Sequence, residues 1–308
     1  MRKILVGAVI TCLVVGLATV AMAAKPEIST SGSIEFQISG TSASGEASGL
    51  FGAGDVLIDY NVSLTSGPWT AVVSPEFDIA GGAVAECDAY MTYSGEAFTL
   101  TLDPTGIDNG IFDIYSVTAD GAPGIPSNPG LKLSVPMENF SFYAVVNNQQ
   151  SSTDPDSAVF EFGGGFSTTM GALSLDLAFN SAGDEGDTWY GSSYGLKVGY
   201  SMEALSLTGE YGSFSPSASG KKSGSGYYVS LDYTLPGGDS FSVSYTGSDK
   251  YLNGCGVATD HDYSKIDATY SHSLAEAVTL SFEVASEDTG LKDAKSVTTW
   301  NGKVSISF

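Results

Sequence analysis

Basic residues are scarce in this chain. It has 12 lysine and arginine residues against 35 aspartate and glutamate residues, a formal net charge of −23, and Arg2 is the single arginine. Because nucleic-acid binding depends on cationic contacts with phosphate, this composition excludes DNA and RNA as natural partners. Any positive charge beyond the first residues must come from lysine, which acts as a point charge and not as a planar fork.

Long apolar runs are also rare. One uncharged run, residues 4–20, follows two basic residues and precedes a site of small residues at 21–23. This order predicts a cleaved signal peptide over residues 1–23, with an uncleaved membrane anchor as the alternative. Since no second run of about 18 apolar residues follows, the rest of the chain has no segment that would cross a membrane as a helix.

Histidine and cysteine, the usual residues of catalytic and metal sites, are few. His261 and His272 are the two histidines, and neither lies beside a serine motif of the nucleophile-elbow type, so a hydrolase is not expected. Cys87 and Cys255 lie in distant segments, and we expect two unpaired thiols, with a disulfide as the alternative. The acidic loop residues do not match a calcium-loop spacing. No enzyme, cofactor or dedicated metal site is predicted.

The pattern that is present is alternation with a period of two residues. It is clearest over residues 297–308, the end of the chain. Trp300, Val304, Ile306 and Phe308 share one face, and the other face carries Thr299, Asn301, Lys303, Ser305 and Ser307. A strand that contacts apolar material on one side and water on the other, after an export signal, is typical of an outer-membrane β-barrel.

The same alternation recurs along residues 24–308 in about sixteen segments. The connections between them alternate in length, short turns such as 236–239 being followed by longer polar segments such as 247–262; the short connection 80–82 is the exception. Aromatic residues cluster near both ends of the segments, as interfacial girdles would require. The predicted fold class is therefore all-β: a transmembrane antiparallel β-barrel of about sixteen strands, with short periplasmic turns and long external loops.

By parity, the polar face of these strands lines the barrel interior. Candidate pore-lining residues on the strands are Glu35, Asp59, Glu76, Asp78, Glu86, Asp88, Lys132, Lys197, Lys265 and Lys303. Carboxylates outnumber lysines on this face, and a carboxylate-rich pore raises the local concentration of cations and repels anions. The sequence therefore predicts a weak cation preference; the alternative is that these acids only solvate a polar lumen.

With its signal peptide, strand number, terminal Phe308 and the long segment 104–130 after the fifth strand, the chain resembles the Gram-negative general porins. The resemblance implies passive diffusion of small hydrophilic solutes and ions through a 16-stranded barrel, usually a homotrimer, in the bacterial outer membrane. It also implies that 104–130 is a constriction loop, which would bring Asp108, Asp113 and Asp120 into the lumen. The chain departs from the family in lacking an arginine cluster on the wall.

The resemblance further implies a set of partners: outer-membrane lipid and lipopolysaccharide, small solutes and cations, and the barrel-assembly machinery, which would recognise the C-terminal strand ending at Phe308. Two other functions stay open. One is a substrate-selective channel on the same scaffold, and the other is a structural or adhesive surface protein whose barrel is plugged.

Overall fold

A computed structural model describes most of the chain after residue 25. The expected signal peptide, Cys255 and His261 lie outside the described residues. The described residues are 26–43, 54–78, 83–107, 128–150, 158–182, 192–215, 223–248, 251–252, 258–259, 262–288 and 296–308. Within these ranges the structure contains strands and turns, and none of it forms a helix long and apolar enough to cross a membrane.

The strands follow one another along the chain with short turns at alternate connections. Their bounds are β1 (Glu27–Ala43), β2 (Gly54–Ser66), β3 (Trp69–Asp78), β4 (Ala83–Ser94), β5 (Thr99–Ile107), β6 (Asn128–Pro136), β7 (Phe140–Gln150), β8 (Ala158–Met170), β9 (Leu173–Ala182), β10 (Ser192–Met202), β11 (Leu205–Ser215), β12 (Gly224–Thr234), β13 (Ser240–Ser248), β14 (Tyr251–Leu252), β15 (Ala258–Thr259), β16 (Tyr263–Ala275), β17 (Val278–Asp288) and β18 (Val297–Ser307).

Sixteen of these strands form one closed antiparallel barrel, in which each strand pairs with its neighbours along the chain and β1 pairs with β18. The predicted fold class is confirmed. The remaining two strands, β14 and β15, form a small separate hairpin within the segment 247–262 that was expected to be a loop. Closure leaves no open sheet edge along the paired parts of the strands, which is the condition for placing a sheet in lipid.

Large apolar side chains cover the outside of the barrel. Phe36, Phe179 and Tyr270 are among the many that are exposed, and they have the parity expected from the alternation. Near the external ends, Tyr194 packs with Tyr211 and Tyr227 with Tyr245 on neighbouring strands; near the turns, Phe142 packs with Phe166. The outer surface therefore has an apolar band with aromatic residues at both ends, as a bilayer requires.

The first strand is longer than the alternation predicted, because the apolar pattern becomes clear only at Ile34. The structure begins β1 at Glu27, and residues 27–32 pair with Tyr60–Thr65 of β2. Thr30 and Gly32 occupy outward positions there and are not strongly apolar. Register with β2 extends the strand where hydrophobicity alone does not.

The turn between β12 and β13 needs glycine. Gly237 and Gly238 have φ angles of 122° and 95°, a region that side chains strongly disfavour. Asp239 ends this turn and links it to β16: Tyr270 Oη donates to one carboxylate oxygen at 2.6 Å, and His272 Nδ1 lies 2.6 Å from the other. These hydrogen bonds, that of Tyr270 first, lower the pKa of Asp239 below its ordinary value.

This lowered pKa predicts an acid-sensitive turn. A carboxylate whose pKa is depressed in the folded state stabilises above its unfolded pKa of 3.8, and the contribution is lost as the pH falls through the lower folded value. We expect Asp239→Asn to lower the urea midpoint of unfolding near neutral pH and to converge with the wild type in acid. Glu276→Gln, in the next turn, is the control. A difference that stayed constant with pH would contradict the prediction.

The barrel interior as candidate functional site

The inner face of the barrel is predominantly polar, and the strand register places most of the predicted site residues on it. Glu35, Asp59, Glu76, Asp88 and the four lysines occupy inward positions. For Asp78 and Glu86 the structure gives only the backbone register: Asp78 is opposite Leu57 of β2, and Glu86 is opposite Glu76 of β3. Asp108, Asp113 and Asp120 lie outside the described residues. Interior carboxylates and ammonium groups provide a surface that solvates ions and polar solutes.

Three of the four lysines lie beside carboxylates. Lys303 Nζ is 2.5 Å from Glu35 Oε2 across the closing seam, Lys197 Nζ is 2.7 Å from Glu210 Oε1, and Lys265 Nζ is 3.2 Å from Asp267 Oδ1. The positive charge of these three lysines is therefore largely balanced by the adjacent carboxylates.

The fourth lysine has an aromatic neighbour. Lys132 Nζ lies 4.8 Å from the centroid of the Tyr143 ring, a cation–π distance. On β8, Gly165 is the register partner of Tyr143, and a Cβ added at Gly165 would overlap the Tyr143 ring. The Tyr143 ring lies close to the wall because Gly165 leaves space for it. The ring in turn holds the Lys132 ammonium group beside the wall.

Carboxylates gather on the inner face of β2, β3 and β4. Asp59 on β2 is the register partner of Glu76 on β3. Asp88 on β4 is the register partner of Ser74, which lies two residues before Glu76 on β3. Ser33 Oγ donates to Asp59 Oδ2 at 3.0 Å, and Ser74 Oγ donates to Asn61 Oδ1. This part of the wall presents carboxylate, hydroxyl and amide groups to the interior.

Small residues form a continuous row across the opposite part of the wall. Gly165, Ala178, Gly195, Gly212 and Gly226 are successive register partners on β8 to β12. Ala178, Gly195 and Gly212 are buried although they face the interior.

The neighbouring Glu210 side chain is only 1% exposed, and its Oε2 has no hydrogen-bond partner in the part of the chain that the structure describes.

The closing seam joins the C-terminal residue to Gly32. Gly32 N and Phe308 O, and Phe308 N and Gly32 O, are each 3.0 Å apart. A Cβ added at Gly32 would lie 2.7 Å from Cζ of the Phe308 ring and 2.5 Å from the Asp59 carbonyl oxygen. The terminal aromatic ring is thus seated over a glycine of the first strand.

Sequence reasoning missed the aromatic residues of the interior. Tyr90, Tyr143, Tyr228 and Tyr263 have inward register positions, whereas tyrosine was interpreted mainly as a residue of the outer girdles. The usable signal was parity: Tyr143 and Tyr228 are the second residues of the pairs Phe142-Tyr143 and Tyr227-Tyr228, and only one residue of each pair can face lipid.

Within the described ranges, no group of three or more histidine, cysteine, aspartate or glutamate side chains is placed so that it could bind a metal ion. The acidic loop residues whose spacing does not match a calcium loop, Asp154, Asp156, Asp184, Glu185 and Asp187, lie outside these ranges.

Solved porin structures have a similar fold. An anion-selective porin from Comamonas acidovorans has a TM-score of 0.68 and 14% identity, with 92% of this chain and 100% of that chain covered. OmpF of Salmonella typhi, in complex with daunomycin, has a TM-score of 0.64 and 14% identity, covering 91% and 97%. A loop-deletion mutant of OmpT from Vibrio cholerae has a TM-score of 0.64 and 11% identity, covering 92% and 99%. At these identities the likeness concerns the fold alone.

No curated protein matches the chain. A family model described as Gram-negative porin matches residues 8–290, most of its length. The closed sixteen-stranded barrel, its apolar outer band and its charged interior agree with that match. The chain belongs to the Gram-negative porin family and is a protein of the bacterial outer membrane.

Proposed function

We propose that this porin is a non-enzymatic, water-filled channel through which small hydrophilic solutes and ions diffuse passively, with a weak preference for cations. The observation that carries the proposal is the imbalance of charge inside a closed barrel. Three of the four inward lysines lie beside carboxylates, and further carboxylates such as Asp59, Asp88 and Asp232 remain on the same face. A net negative wall attracts cations and repels anions.

The anion selectivity named for the Comamonas acidovorans porin belongs to that protein. Two barrels of one fold differ in selectivity when the charges on their inner faces differ, because permeating ions respond to the side chains and not to the strand topology. The cation preference proposed here therefore rests on this chain's own carboxylates.

The expected loop 104–130 is shorter than predicted, because β5 extends to Ile107 and β6 begins at Asn128. We also propose that the segment between these two strands enters the barrel as a constriction loop. The support comes from the wall: the row of small residues on β8 to β12 offers close approach to another segment, and Ala178 is buried at 5% exposure. Asp108, Asp113 and Asp120 would then add negative charge where the channel is narrowest and screening is weakest.

The proposal includes an export and assembly route. Residues 1–23 direct export and are removed, the barrel-assembly machinery recognises the strand that ends at Phe308, and the barrel inserts beside lipid and lipopolysaccharide as a homotrimer. Support for the trimer is the family, and support for the role of Phe308 is its outward, 61% exposed ring at the end of the chain.

Single-channel recording in planar lipid bilayers tests the function. We expect large ohmic steps with reversal potentials that indicate cation preference in a salt gradient. Small steps blocked by one particular solute would favour a substrate-selective channel, and the absence of steps from correctly folded protein would favour a plugged surface barrel. Reversal potentials of the opposite sign would refute the cation preference while leaving the channel itself standing.

A further inference from the structure

The first part of β1, at the end of the barrel that carries the short turns, is paired on one side only. Residues 27–31 pair with β2. On the other side of β1, the pairing with β18 runs from Ala43 as far as Gly32, which exchanges two backbone hydrogen bonds with Phe308. Among the residues that the structure describes, no strand lies beside residues 27–31 on this second side. We call this segment the open edge.

The open edge offers backbone hydrogen-bonding groups at two positions. In an antiparallel ladder, consecutive residues direct their N–H and C=O groups to opposite neighbours. Gly32 directs its groups towards β18, so Thr30 and Ile28 direct theirs to the same side, whereas Ser29 and Ser31 direct theirs to β2. The groups of Thr30 and Ile28 therefore point to the side on which no described strand lies.

This edge has its place in water and not in the hydrocarbon of a membrane. Lipid offers no partner to backbone N–H and C=O groups, so an open sheet edge is excluded from the hydrocarbon region. The side chains of residues 27–31 are exposed, and Ile28 is 72% exposed. Lysine often protects such edges, and residues 27–31 contain none. An unprotected edge with a large exposed apolar side chain is a template for another strand.

The two faces of the open edge differ in chemistry. Ile28 has the outward parity, on the same face as the Phe308 ring, which is 61% exposed. On the inner face, a recess of about 460 Å³ adjoins the edge, and its lining includes Ser31, Asp59 and Asp88. Because successive side chains of a strand point to opposite faces, a strand paired with the edge alternates between an apolar surface and an acidic recess.

We propose that the open edge is a docking site for an extended segment of a partner protein in which apolar side chains alternate with lysine or arginine. The segment bonds through its backbone to Thr30 and Ile28. Its apolar side chains lie beside Ile28, and its basic side chains point into the recess that Asp59 and Asp88 line. Backbone hydrogen bonds supply affinity, and the complementary side chains supply specificity. This interaction goes beyond the channel function and does not depend on conductance.

A synthetic peptide of alternating valine and lysine residues, with blocked ends, is the probe. Fluorescence anisotropy measures its binding to the folded protein in detergent. Thr30→Pro removes an N–H group on the open side and leaves the charge and the bonds to β2 unchanged, whereas Thr30→Ala keeps that N–H group. We expect Thr30→Pro to weaken binding about fivefold or more and Thr30→Ala to change it by less than about twofold. Equal binding by the two folded variants would overturn the proposal.

Methylation of the peptide backbone gives a second test that leaves the protein unchanged. Peptide residues opposite Thr30 and Ile28 share the outer face with them and direct their N–H groups towards β1. These residues are the valines. We expect N-methylation of the valines to weaken binding about fivefold or more relative to N-methylation of the lysines. If both peptides bound equally well, binding would depend on charge alone and the docking site would be refuted.

Two further outcomes would also refute the proposal. A peptide with glutamate in place of lysine that bound as tightly would show that the acidic recess does not select the partner. If the unmodified protein bound no peptide and Thr30→Pro lowered the number of subunits per particle, the occupant of the open edge would be a second copy of this chain.

Discussion

Replacing Gly32 with valine is expected to impair closure of the barrel, so that a much smaller fraction of the protein folds. The valine Cβ would lie 2.5 Å from the backbone carbonyl oxygen of Asp59 and 2.7 Å from the Phe308 ring. The ring can move, but the carbonyl belongs to the paired strand β2, so β1 itself must shift. Overpacking of this kind costs about 1–3 kcal/mol or more, and here it acts at the seam where β1 meets β18.

The folded fraction after refolding in detergent, read from heat-modifiable gel mobility, measures this effect. Gly209→Val is the matched control, since Gly209 occupies an outward position on β11 and an added Cβ there meets no atom within 4 Å. Combining Gly32→Val with Phe308→Ala relieves the ring overlap and leaves the carbonyl overlap, so we expect partial recovery. Equal folding of the two valine variants would show that the seam tolerates the side chain.

Replacing Lys197 with methionine is expected to destabilise the barrel by about 3 kcal/mol. The change leaves the Glu210 carboxylate, whose side chain is 1% exposed, without its ion-pair partner at 2.7 Å. Breaking a buried ion pair on one side costs about 3–5 kcal/mol; we take the lower end because the Lys197 side chain is 34% exposed and partly screened by solvent.

The double variant Lys197→Met with Glu210→Gln should recover most of the loss, because it removes the buried charge together with its partner. Lys265→Met is the comparison: the carboxylate of Asp267 is 21% exposed, so solvent can replace the lysine and the loss is smaller. Urea unfolding of all four proteins measures the differences. If Lys197→Met and Lys265→Met cost the same free energy, burial of Glu210 does not control the stability of this wall.

The alternation made the barrel and its outer surface predictable. Positions such as Ile306 and Phe308 were assigned to the apolar face because strand geometry sends successive side chains to opposite faces, a property of the local backbone, and both are exposed on the outside of the barrel. The inward positions of Glu35 and Lys303 followed from the same rule. The loop acids Asp108, Asp113 and Asp120 were assigned by resemblance and stay a prediction.

Contacts between strands were not predictable in the same way. Lys303 forms an ion pair with Glu35 although 268 positions separate them along the chain. Closure of the barrel places Gln37 opposite Lys303, and Glu35 lies two residues before Gln37 on the same face of β1. The stacking of Tyr143 against Gly165 depends likewise on register. A shift of that register by two residues would keep every side chain on its face and change every partner.

Sequence alone determined the class of this protein: an exported chain whose strands face lipid on one side and a polar interior on the other, with an excess of negative charge and almost no arginine. These properties follow from composition and from a period of two residues, which need no knowledge of distant contacts. Tertiary structure decided which lysines form ion pairs, where glycine admits an aromatic ring, and that carboxylates of β2 to β4 lie together on the inner face. Those features arise only when register and closure bring remote strands within a few ångströms of one another, because electrostatic and packing forces act over that distance.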